Sequence, residues 1–437
     1  MDFSKDLICE NLTAEDGVLY FAGQNTAALA QKYGTPLYLM DEDRIRQQAR
    51  VYHDTLQECF GEKGHALYAS KACSFKRMYA IMAEEGLGVD VVSAGEIATA
   101  HKAGFPMENA YFHSSNKTDA DIAYAMDCGV GTFVVDHPEE LTAINAIAGE
   151  KGILQPVMLR ITPGIDCHTY EAVNTGKVDS KFGSAIVTGD ASRITAQALS
   201  LPNVKLCGFH CHIGSQVFDS SVYIATVDVM VDFLKDMLDT HGYAAEKLDI
   251  GGGYGVRYVA SEPTIDIAAS IREVAAYMKE KVAAVGIEMP HVYMEPGRSI
   301  VADAGLTLYT VGAVKKIEGY KNYVSVDGGM TDNPRFALYG APYTVLPATR
   351  LGADRDMTAD VVGRCCESGD IIQPDVALPA DMARGELLAV LTTGAYHYSM
   401  ASNYNRIPRP PVVMLCDGES YVAVRRETLE DILALDE

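Results

Sequence analysis

Eight short runs of β-forming residues recur from residue 66 onward, and this repetition is the strongest constraint on the fold of the chain. They are LYAS (67–70), VDVV (89–92), AYFH (110–113), TFVV (132–135), VMLRI (157–161), LCGFH (206–210), KLDI (247–250) and HVYM (291–294). Helix-like segments that end at glycine fill most of the gaps, and DEDRIRQQARVYHDTLQECF before the first run supplies an eighth helix. Strands that alternate with helices favour a parallel sheet, and eight such units predict a closed (β/α)8 barrel.

The pattern changes after residue 296, where β-runs follow one another with turn residues between them and little helix. Examples are GLTLYTVGAVKKI, YVSVDGG, ELLAVLTTG and VVMLCDG. Such a series predicts an all-β C-terminal domain with antiparallel strands. The early run TPLYLM precedes the first helix, so we expect it to join that domain. We therefore predict an N-terminal segment (1–40) that belongs to the β domain, a barrel (41–295) and the β domain itself (296–437).

Composition restricts the class of protein and its partners. The 437 residues include 59 acidic and 36 basic side chains, for a net charge of −23, which argues against a nucleic-acid partner. The start MDFSKDLICENLTAEDG has no basic region followed by an apolar stretch, so no secretory signal is expected there. The sequence contains no run of about 18 apolar residues, so no membrane-spanning helix is expected. Ten cysteines are scattered without a paired framework, which is typical of a reducing compartment. These features predict a cytoplasmic protein.

Polar residues follow nearly every predicted barrel strand, at the ends where such barrels carry their catalytic groups. These ends hold Lys71, Asp90, His113, Arg160, the stretch 210–215, Gly251 to Gly253 and Glu295. By itself, a lysine at a strand end such as Lys71 is most often a solvated charge. In a site that lowers its pKa, the same amine can form a Schiff base. The surrounding motifs decide between these two interpretations.

Two motifs favour a phosphorylated aromatic ligand. LDIGGGYG (248–255) places three glycines directly after a strand, where backbone N–H groups can surround a phosphate, although a glycine triplet alone also fits a tight turn. Ser215 and Arg298 stand at neighbouring strand ends and add donors. HCHIGSQ (210–216) has metal-ligating residue types, but adjacent residues of a strand point to opposite faces. An imidazole that stacks on an aromatic ring fits this motif better than a metal site does.

Two further motifs place a carboxylate and a thiol in candidate sites. Glu295 in EPGR (295–298) follows the last barrel strand and either pairs with Arg298 at the surface or holds a proton on a pyridine nitrogen. RCCESGD (364–370) brings Cys366 and Glu367 into an acidic turn of the second domain. A structural cysteine is usually buried, whereas this composition is more typical of an exposed functional loop.

Together the motifs resemble those of the fold-type III decarboxylases that use pyridoxal 5′-phosphate, and most closely the branch that acts on diaminopimelate. The resemblance spans nearly the whole chain and rests on YASKA, RITPGIDCHTYEAVNTGKVDSKFG (160–183), HCHIGSQ, LDIGGGYG, MEPGRSIV, RFALYGA, CCESGD and GAYHYSMASNYNRIPRP. It implies decarboxylation of meso-2,6-diaminopimelate to L-lysine and CO2 through a Schiff base, as the last step of lysine biosynthesis. Decarboxylation of ornithine or arginine on the same fold is the alternative.

The resemblance also implies residue roles. The cofactor would be bound by Lys71, His212, Ser215, Gly251, Gly252, Gly253, Glu295, Arg298 and Tyr396, with Lys71 as the Schiff-base amine, His212 on the ring and Glu295 at the pyridine nitrogen. The substrate would be bound by Arg298, Arg335, Tyr339, Glu367 and Tyr396. Cys366 resembles the proton donor, so the catalytic set is Lys71, His212 and Cys366. No metal is implied. The family resemblance further implies a homodimer with shared active sites.

Two departures from the family pattern concern the edge of the pocket, and a neighbouring cysteine raises the question of which thiol is reactive. The lysine motif is SKACS, where the family more often has valine or isoleucine before the lysine and asparagine two residues after it. His397 stands where a glycine is common, and Cys365 precedes Cys366. None of these changes removes a catalytic group, but Cys73 and His397 can reshape the pocket edge. Strand alternation and the CESGD match favour Cys366 over Cys365 as the reactive thiol.

Overall fold

The computed structural model describes residues 4–165 and 180–437, and the chain forms two compact units. The first, here called the β unit, comprises Met1–Ile45, Val256–Pro263 and Ile300–Glu437. The second, the barrel unit, comprises Arg46–Gly255 and Thr264–Ser299. Residues 166–179 of the motif RITPGIDCHTYEAVNTGKVDSKFG lie outside the described residues.

The N-terminal part of the β unit contains a small antiparallel sheet and one strand of a larger sheet. Its elements are β1 (Leu12–Glu15), β2 (Val18–Phe21), β3 (Gln24–Asn25), α1 (Thr26–Tyr33) and β4 (Leu37–Asp41). Helix α1 begins after Asn25, whose side-chain oxygen accepts a hydrogen bond from the backbone N–H of Ala28 at 3.0 Å. Every residue of β4 is buried, which indicates that both faces of this strand are covered.

Eight parallel strands close into a barrel in the barrel unit, which confirms the predicted (β/α)8 architecture. The barrel strands are β5 (Gly64–Ala69), β6 (Gly88–Val91), β7 (Ala110–Phe112), β8 (Thr132–Val135), β9 (Gln155–Thr162), β11 (Val204–His210), β12 (Lys247–Asp249) and β13 (His291–Met294). A further strand of two residues, β10 (Ser184–Ala185), pairs with β9. Closure occurs where β13 pairs with β5, with Tyr293 opposite His65. Each of the eight predicted runs coincides with one of the barrel strands.

Helices of this region are delimited by the capping residues that the sequence provides. They are α2 (Glu42–Phe60), α3 (Lys76–Glu84), α4 (Ala94–Lys102), α5 (Asp119–Asp127), α6 (Pro138–Lys151), α7 (Asp190–Ser200), α8 (Ser220–His241) and α9 (Ile267–Val285). Helix α6 has proline as its first residue and ends at Gly152, which adopts a left-handed φ of 65°. Thr118 and Asp121 form a capping box at the start of α5.

The C-terminal part of the β unit is built mainly from strands, and β4 joins its larger sheet. The elements are α10 (Arg298–Val301), β14 (Gly305–Ile317), β15 (Lys321–Val326), α11 (Arg335–Tyr339), β16 (Val345–Pro347), β17 (Met357–Val362), β18 (Ile371–Leu378), β19 (Leu387–Leu391), β20 (Val412–Cys416), β21 (Glu419–Val424) and α12 (Leu429–Leu433). The sheet order is β18-β17-β15-β14-β4-β20-β21, and β19 pairs with both β14 and β16.

The prediction that all strands of this sheet run antiparallel was wrong for two pairs. Strand β15 pairs in parallel with β17, and β4 pairs in parallel with β20. Parallel neighbours require a long connection, and here the chain between β15 and β17 includes α11 and β16. A local β-run indicates a strand but not the direction of a neighbour that is distant along the chain.

None of the described helices combines the length and the apolar composition needed to cross a membrane. The interior of the barrel is instead filled by side chains from six of its strands, which form one buried cluster. Its members are Leu67, Tyr111, Val134, Met158, Cys207 and Tyr293. The barrel is therefore a packed core, and its polar groups lie at the strand ends.

A buried ion pair fixes the connection between β7 and α5. The Nζ atom of Lys117 lies 2.7 Å from Glu140 Oε1, and both side chains are almost completely inaccessible to solvent. The same amine donates a hydrogen bond to the carbonyl of Val134 at 2.7 Å. Burial lowers the pKa of Lys117, although Glu140 acts in the opposite direction. Removal of either side chain alone would leave the other charge buried without a partner, which would destabilise the folded protein.

We expect Lys117→Met to lower the free energy of unfolding by about 3–5 kcal/mol, because it leaves the Glu140 carboxylate buried without its partner. The measurement is urea denaturation followed by circular dichroism. The matched control is the double variant Lys117→Met/Glu140→Leu, which should lose less stability than the single variant because no unpaired charge remains. Equal losses in the two variants would contradict this account.

Candidate functional site

The amine of Lys71 lies at the carboxyl ends of two adjacent barrel strands. Strand β5 ends at Ala69, and a 3-10 turn over Ser70–Ala72 carries Lys71. Its Nζ atom lies 3.8 Å from Asp90 Oδ2 on β6. The Lys71 side chain is 47% exposed, whereas that of Asp90 is 1% exposed. The structure therefore places a solvent-accessible amine beside a buried carboxyl group, as the strand-end prediction required.

Glu295 is held between two histidines directly after β13. His113 Nε2 lies 2.8 Å from Glu295 Oε1, and His210 Nε2 lies 3.1 Å from Oε2. Burial alone would raise the pKa of Glu295, but the two imidazoles outweigh this effect and hold the pKa well below its usual range. Burial lowers the pKa of His210 to about 4, so His210 is neutral near pH 7 and can donate its Nε2–H to the carboxylate. Glu295 is therefore ionised at neutral pH.

The donor atoms of His113, His210 and Glu295 lie within 4.8 Å of one another, a grouping that could also hold a metal ion. In this structure the imidazole nitrogens face the carboxylate oxygens instead. Of the motif HCHIGSQ, only His210 joins this group. The motif therefore does not supply the combined cysteine and histidine ligands that its composition suggested.

Three glycines after β12 form a cradle that side chains would fill. A Cβ atom on Gly252 would lie 2.0 Å from the carbonyl oxygen of Glu295, and one on Gly253 would lie 2.3 Å from that of Gly214. Gly253 also has a φ of 118°, which favours glycine. Gly251 precedes them with its N–H bonded to Asp249 Oδ1 at 2.8 Å. The close packing of backbone against backbone explains why this stretch contains only glycine.

Polar side chains surround the glycine cradle. Ser215 Oγ accepts hydrogen bonds from Arg298 Nε and Nη2 at 3.1 and 2.9 Å. His212 Nδ1 accepts the backbone N–H of Gly252 at 3.3 Å. Burial, with a smaller contribution from Lys71, lowers the pKa of His212 well below its usual value, which is consistent with a neutral ring that accepts at Nδ1. The Arg298 guanidinium and the Ser215 hydroxyl beside this glycine turn form a donor set suited to a phosphate.

Arg335 is buried in the β unit within a group of tyrosines. It is 7% exposed, and its Nη1 donates to Tyr258 OH at 3.2 Å. The guanidinium carbon lies 5.6, 5.9 and 5.4 Å from the ring centroids of Tyr258, Tyr339 and Tyr396. Among the described residues no carboxylate pairs with Arg335, and its Nε atom has no acceptor. Burial of a guanidinium without a counterion destabilises the folded protein, unless a ligand supplies the anion.

The turn between β17 and β18 exposes a thiol and a carboxylate. Cys366 and Glu367 are both exposed, and the Cys366 N–H donates to Asn405 Oδ1 at 2.8 Å. Cys365 is half-buried, and burial together with Asp370 raises its pKa to about 11. The exposed thiol of this pair is therefore Cys366.

The predicted site residues thus form two groups. Lys71, His212, Ser215, Gly251 to Gly253, Glu295 and Arg298 belong to the barrel unit, whereas Arg335, Tyr339, Cys366, Glu367 and Tyr396 belong to the β unit. Of the two departures, Cys73 is buried with its pKa raised to about 12, and His397 is fully buried.

Sequence reasoning missed four residues that contact these groups. His113 and His210 were visible as strand-end residues, but no motif connected them to Glu295. Asp249 accepts the N–H of Gly251, and burial followed by repulsion from Glu295 raises its pKa well above the usual value. Tyr258 follows the glycine motif, yet its segment Val256–Pro263 belongs to the β unit. No local signal predicted that this short segment leaves the barrel unit.

Comparison with known proteins agrees with this arrangement. Residues 42–302 match the family described as pyridoxal-dependent decarboxylase, pyridoxal binding domain. The chain is 42% identical to a diaminopimelate decarboxylase of Bacillus subtilis, over 97% of this chain and 96% of that protein. Solved structures of diaminopimelate decarboxylases in complex with L-lysine are also similar. That from M. jannaschii has a TM-score of 0.88 at 31% identity and covers 98% of both chains. That from Helicobacter pylori has a TM-score of 0.85 at 32% identity and covers 94% of this chain and 99% of its own.

The full-length similarity includes both the barrel, with its amine, carboxylate and glycine cradle, and the β unit, with its buried guanidinium. The chain belongs to the diaminopimelate decarboxylase family of pyridoxal-dependent decarboxylases.

Proposed function

We propose that this protein decarboxylates meso-2,6-diaminopimelate to L-lysine and CO2 with pyridoxal 5′-phosphate as its cofactor. The observation that carries the choice of substrate is Arg335, a buried guanidinium that pairs with no carboxylate among the described residues. Guanidinium binds carboxylate through two parallel hydrogen bonds. A substrate with a second carboxylate, distant from the reacting carbon, supplies the missing anion. The L-lysine complexes of the related enzymes agree with this product.

The residues of the barrel unit fit the cofactor. Lys71 would supply the amine for its aldehyde, and Ser215 and Arg298 beside the glycine cradle would supply donors for its phosphate. His212 would contact its ring, and Glu295 would pair with its pyridine nitrogen. When bound, the cofactor provides an electron sink for the bond that breaks as CO2 leaves.

The protein's own contribution to that electron sink is the charge on Glu295. His113 and His210 keep this buried carboxylate ionised, as the lowered pKa of Glu295 indicates. An ionised carboxylate holds a proton on an adjacent pyridine nitrogen, whereas an arginine at this position would not. This arrangement favours decarboxylation over racemisation, because racemases benefit from a weaker electron sink. A protein that only carried the cofactor would not need the residues of the β unit.

The β unit supplies groups for the far end of the substrate and for protonation. Arg335 and Tyr339 bind the distal carboxylate, Tyr396 lies beside Arg335, and Glu367 binds the distal ammonium. Cys366 delivers a proton to the carbon that has lost CO2. Its exposure on a turn makes the thiol accessible, in contrast to the half-buried Cys365. Ornithine and arginine lack a distal carboxylate, so they would leave Arg335 unpaired.

We further infer that the enzyme is a cytoplasmic homodimer with shared active sites. The exposed turn with Cys366 and Glu367 is suited to reach the barrel mouth of a second subunit. None of the nine cysteines in the described ranges forms a disulfide, which supports a reducing compartment. The strongly acidic composition supports a small-molecule substrate and no nucleic-acid partner.

We expect the protein to release CO2 from meso-diaminopimelate and negligible amounts from ornithine, arginine or lysine. Arg335→Ala should lower kcat/KM for meso-diaminopimelate on the order of 10³-fold, because the distal carboxylate loses a buried, charged partner. Arg335→Lys serves as the control, since it retains the charge without the bidentate geometry and should lose less activity. Efficient turnover of ornithine or arginine with none of diaminopimelate would favour the alternative substrate class.

Subunit mixing tests the shared site. Lys71→Ala and Cys366→Ala homodimers should each be nearly inactive, but a heterodimer of the two contains one site in which both groups are intact. Random exchange should restore roughly one quarter of the wild-type activity, because about half of the dimers are mixed and each has one intact site. The assay is CO2 release after exchange, with mass spectrometry to verify mixed dimers. No recovery despite verified exchange would place both groups in one chain.

A further inference from the structure

His397 is a fully buried histidine of the β unit, at a position where the family motif more often has glycine. Its Nδ1 lies 2.9 Å from the carbonyl oxygen of Ala395, and its Nε2 lies 2.9 Å from Asn333 Oδ1, so that both ring nitrogens face acceptor oxygens. Asn333 lies two residues before Arg335, and Ala395 lies one residue before Tyr396. One imidazole therefore ties together the two segments that carry these side chains.

A second path connects His397 to Arg335 through aromatic rings. The ring of Tyr343 packs edge-on against His397, with centroids 5.0 Å apart and an interplanar angle of 87°. Tyr343 packs in the same manner against Tyr258, at 5.1 Å and 78°. Tyr258 in turn accepts the hydrogen bond from Arg335 Nη1. Edge-to-face pairs of this kind fix ring orientation as well as contributing packing.

The backbone at Tyr396 shows why such support is needed. Tyr396 has a φ of 63°, a left-handed conformation that costs a non-glycine residue roughly 1–3 kcal/mol and persists only when surrounding contacts hold it. Its neighbours provide those contacts on both sides. Ala395 is bonded to His397, and the Tyr396 ring packs over the Arg335 guanidinium at 5.4 Å.

We propose that His397 is a positioning residue that sets the affinity of the enzyme for the distal carboxylate of its substrate. It does so by holding Asn333, Tyr343 and Tyr396 so that Arg335 presents its planar fork in one orientation. Bidentate recognition depends on that orientation, and a loosely held guanidinium binds carboxylate less well. This inference rests on the proposed function, because it assumes that Arg335 binds the substrate carboxylate.

The test is a double-mutant cycle between His397 and Arg335. His397→Gly, Arg335→Ala and the double variant are assayed as holoenzymes for CO2 release from meso-diaminopimelate, and kcat and KM are determined separately. We expect His397→Gly to raise KM roughly tenfold with kcat changed less than about threefold, the pattern of lost substrate binding. In the Arg335→Ala background the same substitution should change KM less than about twofold, since the group it positions is gone.

Two further variants separate positioning from general stability. His397→Gln can retain one hydrogen bond to Asn333 and should give a KM between those of the wild type and His397→Gly. Leu308→Ala removes a buried core side chain of the same unit and should lower the melting temperature without changing KM. If Leu308→Ala raises KM as much as His397→Gly does, the effect of His397 is only structural and the proposal is wrong.

The outcomes also separate this proposal from the proposed function. A wild-type enzyme that releases no CO2 from meso-diaminopimelate overturns the proposed function and, with it, the role of His397. If the wild type is active but His397→Gly raises KM equally in the wild-type and Arg335→Ala backgrounds, only the positioning role is overturned. A KM effect that disappears in the Arg335→Ala background supports the proposal.

Discussion

The parallel pairing of β13 with β5 is the contact on which the barrel site depends. This pairing closes the barrel, so that the first and last strands of the sheet become neighbours. Glu295 after β13 and Lys71 after β5 are thereby brought to the same edge, although they are far apart along the chain. All strands of the closed sheet run in one direction, so every carboxyl end contributes to a single mouth. A site that needs an amine, a carboxylate and a phosphate cradle can therefore draw each from a different strand.

The buried carboxyl groups at this mouth have different protonation tendencies, and their neighbours explain the difference. Burial raises the pKa values of Asp90 and Asp249, and the nearby Glu295 carboxylate adds to both effects. Glu295 alone faces two imidazole nitrogens, which lower its pKa well below the usual range. The surroundings of Glu295 thus shift its carboxyl group toward the ionised form, whereas those of Asp90 and Asp249 shift theirs toward the protonated form. Similar residues take different roles because their surroundings differ.

The β unit contains a comparable compromise between stability and binding. A buried guanidinium without a carboxylate destabilises the folded protein, yet Arg335 occupies this position within a group of tyrosines. Tyr258, Tyr339 and Tyr396 provide ring faces and one hydroxyl acceptor, which reduce the cost of burial without neutralising the charge. In the proposed function, the distal carboxylate of the substrate would supply the anion that this guanidinium lacks. His397 and the left-handed Tyr396 belong to the same arrangement, because orientation matters as much as charge in bidentate binding.

The sequence by itself determined the barrel and the presence of a separate β-rich region, and it indicated which residues are candidates for the site. Strand runs, glycine caps and motifs such as LDIGGGYG are local patterns, and they can be recognised in the sequence without knowledge of the fold. Tertiary structure decided the rest. The parallel pairs β15–β17 and β4–β20, the departure of Tyr258 from the barrel unit and the approach of His113 to Glu295 all depend on contacts between residues distant in sequence. A single sequence records which side chains are present, but the pairing of distant segments decides which of them meet.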